Sequence, residues 1–385
     1  MKWMLKSVIT TPKVELLCSK QGRPSGEPSE ISYWQKINEL ETIMNSKVYT
    51  CHNESVLAEF VPFSTPKFKI YKRMGVPSAL SENLMEKLQI LEKKHESSLR
   101  NLDLRQSTVL SMVKKISKIR SNLAYCLLDL GVWLALKAAE SLSCYKSDFF
   151  SWGKLDVFGE ATLKKFSLEA SQTLATYIPP GLNWSIGDNI ESSLDAGLLT
   201  TKVRCLIECL LEYRELDDIR CIVFVERVIA AVVLQCLLDE LLPKYCSWKT
   251  KYIAGNNSSM QVQTRRKQHE IVEEFRKGMV NIIVATSILE EGLDVQSCNL
   301  VLRFDPSATV SSFIQSRGRA RMQNSDYVLM LESEDLSTHS RMKNYLASGD
   351  IMRKESLRHA HDPCPSLKSD QFDEEFIALK ALELL

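Results

Sequence analysis

A chain of 385 residues is long enough for two or three domains with sizeable apolar cores. Hydrophobic residues make up 44% of it and charged residues 25%, which is typical of a soluble globular protein. The formal net charge of +1 argues against a uniformly basic nucleic-acid-binding protein, so any contact with RNA or DNA must come from local patches.

The eleven cysteines are better explained as free thiols than as a disulfide framework. They include no CxxC pair, and several, among them Cys221, Cys236 and Cys298, lie in apolar runs. With no signal peptide at the start, this pattern predicts a soluble, intracellular protein, either nuclear or cytoplasmic. Cys205 and Cys209 lie one helical turn apart and could share a metal ion, but no second pair is nearby, so we expect no metal site.

The amino-terminal half is predicted to be mostly helical. Residues 19–30 are rich in Gly, Pro and Ser, which indicates a linker. Residues 32–45 have helical spacing, and residues 48–71 alternate apolar and polar side chains, which indicates extended segments. Leucines recur at near-helical spacing over residues 84–130 and predict a helical bundle. The most apolar segment, residues 123–139, is shorter than the roughly 20 residues of a membrane span, so we expect a buried helix.

Basic side chains are concentrated on one part of this helical region, namely Lys114, Lys115, Lys118 and Arg120. They form either a solvated face or a face that meets RNA. The sequence alone favours the solvated face, because charge runs on helices usually face water.

From Lys202 onward, short apolar runs alternate with helical segments. The runs predicted to be strands cover residues 221–225, 251–255, 281–286, 297–304 and 327–331. The helices predicted between and before them cover residues 206–213, 228–242 and 267–277, and a charged helical segment follows at 334–361. This alternation predicts βαβ units and a parallel sheet buried on both faces.

A first group of candidate site residues follows the predicted strand at 281–286. Thr286 and Ser287 come directly after its apolar core, where a parallel sheet places its functional crevice. Their hydroxyl and N–H groups suit phosphate oxygens, and Asp294 beyond Gly292 could accept a hydrogen bond from a ribose hydroxyl. Taken alone, the segment could equally be a capped helix ending in a glycine turn.

A second group is a run of arginines around a glycine. Gln315 precedes Arg317, Gly318, Arg319 and Arg321, and arginines so spaced can bind phosphates through two N–H groups each. An arginine can also stabilise the charge that develops on a transferring γ-phosphoryl group. The alternative is a solvated basic loop or a localisation signal.

The two groups together resemble motifs V and VI of superfamily 2 helicases, through NIIVATSILEEGLDV and SFIQSRGRAR. CIVFVER at 221–227 is similar to motif IV, and RGRAR with SMQVQTRRKQHEIVEEFRKG is similar to the Dicer and innate RNA-sensor branch. Three further segments resemble plant Dicer-like proteins of the Dicer-like 2 type: SKVYTCHNESVLAEFVPFSTPKFKIY, KNYLASGDIMRKESLRHA and FDEEF. The resemblance covers roughly residues 32–376.

This resemblance implies an α/β fold: a RecA-like parallel sheet interrupted by an all-helical insert, with a C-terminal helical extension. The implied order is a divergent N-terminal segment (1–31), the start of the second RecA-like domain (32–77), the insert (78–194), the helicase C-terminal domain with motifs IV to VI (195–332), pincer-like helices (333–362) and a linker (363–385). The insert is implied to grip duplex RNA by shape and backbone.

The resemblance also implies roles for individual residues. Gln315, Arg319 and Arg321 would face the phosphates of ATP, with one of the two arginines as the catalytic finger. Gly292, Asp294 and Gly318 would contribute to nucleotide binding. The residues implied to contact the RNA backbone are Val225, Glu226, Gly255, Thr286 and Ser287.

Parts of the family pattern are missing from the sequence. It contains no GxxxxGK[ST] phosphate loop, and Asp239-Glu240 lies in a predicted amphipathic helix rather than in a DExH box. Ribonuclease III carboxylates are also missing, so we expect ATP to be bound only with a first RecA-like domain, and Mg²⁺ only in the complete protein. We expect the chain to be a truncated product or an incorrectly assembled gene sequence.

Two functions are consistent with these motifs. The first is the helicase C-terminal portion of a Dicer-like endoribonuclease, which binds double-stranded RNA and supplies the motif V and VI half of an ATP site in RNA silencing and antiviral defence. The second is a non-catalytic interaction protein that binds RNA, a full-length Dicer-like protein or its double-stranded-RNA-binding partner without ATP turnover. A third and less favoured function is that of an independent nucleic-acid ATPase.

Overall fold

The computed structural model describes residues 35, 38, 41–43, 64–101, 105–144, 157–182, 188–216, 218–255, 263–290, 295, 298–322 and 324–359. The chain divides into two compact units. One unit, Pro62–Ser340, holds the sheet and most of the helices. The other combines Met1–Val61 with Arg341–Leu385, and its described residues are helical. The predicted domain boundaries stay predictions.

Six parallel strands form one sheet in the described part of the chain. In chain order they are β1 (Pro66–Tyr71), β2 (Cys221–Phe224), β3 (Thr250–Ile253), β4 (Ile282–Ala285), β5 (Leu300–Arg303) and β6 (Asp326–Glu332). Their order across the sheet is β1-β6-β5-β2-β4-β3. Every residue of β2, β4 and β5 is buried, as expected of short apolar strands covered on both faces. The predicted α/β fold with a parallel sheet is confirmed.

Edge strand β1 joins the sheet across a long interval of sequence. It pairs with β6 from Pro66 opposite Tyr327 to Tyr71 opposite Glu332. A set of helices follows β1 in the chain, and the next strand of the sheet is β2. The helical segment is therefore an insert within the sheet domain, as the sequence predicts.

The insert contains α1 (Ser78–Arg100), α2 (Gln106–Tyr125), α3 (Val132–Ser143), α4 (Val157–Ala175) and α5 (Asp188–Asp195). Helix α3 is buried on nearly all sides because it packs between α4 and the sheet-domain helix at Val228–Leu241. That domain contains α6 (Thr201–Leu211), α7 (Val228–Leu241), α8 (Arg265–Arg276) and α9 (Val310–Arg317), and α10 (Leu336–His359) follows β6. No helix within the described ranges is long and apolar enough to cross a membrane.

The expectation of one buried helix over residues 123–139 is wrong. The chain passes from α2 into a π-helical turn, Cys126–Leu130, and then breaks at Gly131 before α3 begins. Gly131 has φ 115°, and a Cβ there would overlap the carbonyl oxygen of Leu198 and lie 2.7 Å from the Cα of Leu199. A backbone that passes this closely with positive φ requires glycine, so the helix ends here.

Candidate functional site

The carboxyl ends of the central strands meet at one edge of the sheet, because the strands are all parallel. Val225 and Glu226 follow β2, Gly255 lies just beyond β3, and Thr286 follows β4. The structure thus places at one edge these four residues, which the resemblance implies contact RNA, and it adds Asp305 beyond β5. Glu226 is exposed, whereas the Val225 side chain is buried and only its main chain reaches this edge.

Thr286 and Gly255 are joined directly. The Gly255 N–H donates to the Thr286 hydroxyl at 3.2 Å, and the Thr286 N–H donates to the carbonyl of Ile253 at 3.2 Å. Thr286 is buried, while its neighbour Ser287 is exposed. A hydroxyl that accepts one bond can still donate its proton, so Thr286 both fixes the turn after β3 and offers a donor.

Two buried glutamines hold the backbone that leads to Gly255. The side-chain amide of Gln263 donates to the Tyr252 carbonyl at 3.0 Å and accepts from the Ala254 N–H at 3.2 Å. Gln268, on α8, donates to the Ala254 carbonyl at 2.9 Å. The Gln263 amide thereby makes hydrogen bonds to the outer backbone groups at the end of edge strand β3. A further strand would otherwise pair with these groups.

Asp305 is a member of this edge that the sequence analysis missed. Its carboxylate accepts from the Glu226 N–H at 2.8 Å and from the Lys202 ammonium at 2.5 Å. The same ammonium lies 4.2 Å from the centre of the Phe304 ring. The position of Asp305 directly after a predicted strand was the available signal, since that is where parallel sheets place functional polar groups.

The arginine run leads out of α9, whose first turn is capped by the Thr309 hydroxyl. Arg317 donates to the carbonyl of Ser64 at 2.9 Å, whereas Arg319 donates to the carbonyl of Glu290 at 3.2 Å. The two guanidinium groups therefore donate hydrogen bonds to different carbonyls. Arg319 is thereby attached to the turn that follows Thr286.

Gly318 ends α9 with ordinary helical dihedrals, so positive φ is not the reason for a glycine there. A Cβ at this position would lie 3.3 Å from the carbonyls of Gln315 and Ile314 and 3.5 Å from Nη2 of Arg321. The tight contacts of such a Cβ would be with the two carbonyls, whereas its contact with Arg321 would be an ordinary one. Gln315 is half-buried on α9.

A buried ion pair lies beneath this edge. The Arg303 guanidinium, at the end of β5, donates to the carboxylate of Glu290, and each side chain is 7% exposed. Ser312 of α9 donates to the same carboxylate at 2.8 Å. Arg303 also donates to the Asp305 carbonyl at 3.1 Å and lies 5.2 Å from the centre of the Phe224 ring. The pair connects β5, α9 and the turn after β4.

The thiol and phenol nearest the arginines are not nucleophiles. Burial raises the pKa of Cys298 to about 12, although the charges of Arg319 and Arg220 act in the opposite direction. Burial also raises the pKa of Tyr327, whose hydroxyl lies 2.9 Å from that of Ser316. Both groups are therefore neutral at physiological pH and serve packing.

The structure describes some of the remaining candidate features and not others. Gly292 and Asp294 lie outside the described residues. Within the described ranges, no group of three or more His, Cys, Asp or Glu side chains could hold a metal ion.

The basic residues of the insert differ in exposure. Lys114 is exposed, whereas Lys115 is half-buried and burial lowers its pKa. Nε of Arg120 lies 2.5 Å from the carboxylate of Glu92. Arg120 is thus held inside the insert.

Comparison with known proteins agrees with this geometry. Residues 201–323 match the helicase conserved C-terminal domain. The chain is 62% identical over 339 residues to an Arabidopsis thaliana protein described as Endoribonuclease Dicer homolog 2, covering 88% of this chain and 24% of that protein. It is 44% identical over 358 residues to Endoribonuclease Dicer homolog 2b of Oryza sativa subsp. japonica, covering 93% of this chain and 26% of that protein. The chain thus spans about a quarter of the length of these curated relatives.

Proposed function

This chain is a plant Dicer-like sequence of the Dicer-like 2 type that carries the helicase C-terminal domain, and from that premise we propose that it binds double-stranded RNA and supplies one half of an ATP site. The observation that carries the proposal is the turn of residues 286–290, which has Thr286 at one end and the carbonyl bound by Arg319 at the other. Its wider role would be in RNA silencing and antiviral defence.

The RNA-binding half of the proposal concerns the carboxyl edge of the sheet. Thr286 and Ser287 would donate hydrogen bonds to backbone phosphates, and Glu226, Val225 and Gly255 would contribute mainly through their main chains. Such contacts recognise the backbone and shape of a duplex rather than its sequence. The helical insert would contact the same duplex through its exposed basic residues, of which Lys114 is one.

The nucleotide half concerns the arginines. Gln315, Arg319 and Arg321 would face the phosphates of ATP held by a first RecA-like domain, and Gly318, Gly292 and Asp294 would complete this side. Arg319 suits such a role because it is half-buried, where a positive charge acts more strongly on a developing negative charge than in bulk water. No GxxxxGK[ST] occurs in the 385 residues, so the phosphate loop and the Mg²⁺ ion would belong to the other half.

The same RNA-binding surface is also consistent with a second candidate function. The chain would then bind RNA, a full-length Dicer-like protein or its double-stranded-RNA-binding partner without turning over ATP. Both candidates share the RNA-binding surface and differ only in whether a first RecA-like domain joins the arginine half.

The experiment that tests RNA binding is a fluorescence titration of a labelled RNA duplex at several salt concentrations. We expect Thr286→Val to raise Kd about tenfold, because it removes a hydroxyl donor to a charged group. Thr286→Ser, which keeps the hydroxyl, is the matched control and should bind like the wild type. Binding should weaken as salt rises. Absence of binding by the wild type at low salt would contradict the proposal.

A further inference from the structure

We propose that Glu290 is a positioning residue for the arginine half of the site: its carboxylate is anchored so that its main-chain carbonyl holds Arg319 in place. The proposal rests on the role proposed for Arg319 and adds a residue that helps to orient its guanidinium. It also links the RNA side of the site to the nucleotide side through one short turn.

The carboxylate of Glu290 is anchored from two directions. Arg303 approaches it from the end of β5, and the Ser312 hydroxyl approaches it from α9 at 2.8 Å. Both members of the ion pair are 7% exposed, so water does not compete for these bonds. A buried guanidinium needs a counter-charge, and Glu290 provides it for Arg303.

The main chain of Glu290 makes the contact that matters for the site. Its carbonyl accepts from Nη2 of Arg319 at 3.2 Å, and its N–H donates to the carbonyl of Ser287 at 2.9 Å. The N–H of Leu289 likewise approaches the carbonyl of Thr286 at 3.3 Å. Residues 286–290 therefore form one closed turn, which the backbone bonds and the anchored Glu290 carboxylate hold together.

The backbone of Arg319 is fixed independently of Glu290. The Cys298 N–H donates to the Arg319 carbonyl at 3.0 Å, and the Arg319 N–H donates to the carbonyl of Ser316 at 3.1 Å. Loss of the Glu290 anchor should therefore leave the Arg319 main chain in place and weaken one hydrogen bond of its guanidinium. This difference separates a positioning role from a general structural one.

The test is the rate at which phenylglyoxal, an arginine-selective dicarbonyl, modifies individual arginines of the purified chain, followed by peptide mass spectrometry. Glu290→Gln keeps the side-chain volume and removes the charge. Ser312→Ala removes one anchor alone and keeps the proposal testable if Glu290→Gln does not fold. Glu273→Gln, which breaks a surface pair with Arg276, is the matched control. Arg266, whose side chain is 90% exposed, is the internal reference.

We expect Arg319 to be modified at least threefold faster in Glu290→Gln and Ser312→Ala than in the wild type, while Arg266 and the half-buried Arg220 react at unchanged rates. An unchanged Arg319 rate in the folded variants overturns the proposal. So does an equal rise at Arg220, because that would report general loosening. The measurement uses neither RNA nor ATP, so its failure is distinguishable from failure of the proposed function.

Discussion

At the residue scale, the buried charged side chains of this protein are held by contacts that also fix the main chain around its candidate site. Arg303 lies in a fully buried strand, yet its guanidinium has a carboxylate, a carbonyl and an aromatic ring as partners. Removing one member of such a pair leaves the other charge buried without compensation. Exposed pairs of the same type contribute little, because water and salt screen them.

Glu290→Gln is therefore expected to lower the free energy of unfolding by about 3–5 kcal/mol. The control is Glu273→Gln, which breaks the pair between Glu273 and Arg276, whose side chains are 52% and 37% exposed. That control should cost less than about 1 kcal/mol. Urea denaturation of both variants measures the difference. Equal losses in the two variants would show that the Glu290–Arg303 pair is not an energetic part of the core.

The sequence could identify residues of the site that follow strands, but not the bonds between them. Thr286 and Arg319 stand out because their motifs place hydroxyl and guanidinium groups near the carboxyl edge of a parallel sheet. The partnership of Glu290 with Arg303 could not be predicted, because it depends on how the turn after β4 folds back over β5. Asp305 was missed for a similar reason: its two partners, Lys202 and the Glu226 N–H, come from distant parts of the chain.

At the element scale, the base of the insert is a closely packed junction. The N–H groups of Val132 and Trp133, at the start of α3, donate to the carbonyls of Gly197 and Leu198 at 3.0 and 3.1 Å. The Thr201 hydroxyl, at the start of α6, donates to the carbonyl of Lys72 at 2.7 Å. The segments that enter and leave the insert are thus bonded to each other and to the sheet domain.

Gly131→Ala is expected to destabilise this junction by about 2–4 kcal/mol, because it adds a clash with the backbone of Leu198 and Leu199 to the strain of positive φ. Gly181→Ala is the matched control, since Gly181 has φ 73° but open space around its Cβ. It should cost about 1–2 kcal/mol, the strain alone. The free energies of unfolding of the two variants give the comparison, and equal losses would mean that close packing at Gly131 contributes nothing.

The elements themselves were largely predictable, because buried strands and amphipathic helices have distinct apolar spacings. The runs at 221–225 and 281–286 became β2 and β4, and α7 ends within one residue of its predicted limit. The pairing of β1 with β6 could not be predicted from spacing, since the two strands are separated by the whole insert. The break at Gly131 was missed because an apolar run hides a change in backbone direction.

At the scale of the whole molecule, we propose that the chain provides an RNA-binding surface and one side of an ATP site. It spans about a quarter of its curated relatives, and its arginines lie at the edge of a sheet with no phosphate loop in the same sequence. We propose that the arginine half acts only together with a first RecA-like domain. ATP hydrolysis needs both halves, because the arginine stabilises charge on a phosphoryl group that the other half must hold.

The most direct measurement is steady-state ATP hydrolysis by the purified chain with Mg²⁺ and saturating duplex RNA, beside Arg319→Ala. We expect no turnover above background for either protein, even where the RNA is shown to be bound. RNA-stimulated turnover by the wild type that is lost in Arg319→Ala would contradict it, because the chain would then contain a complete ATP site.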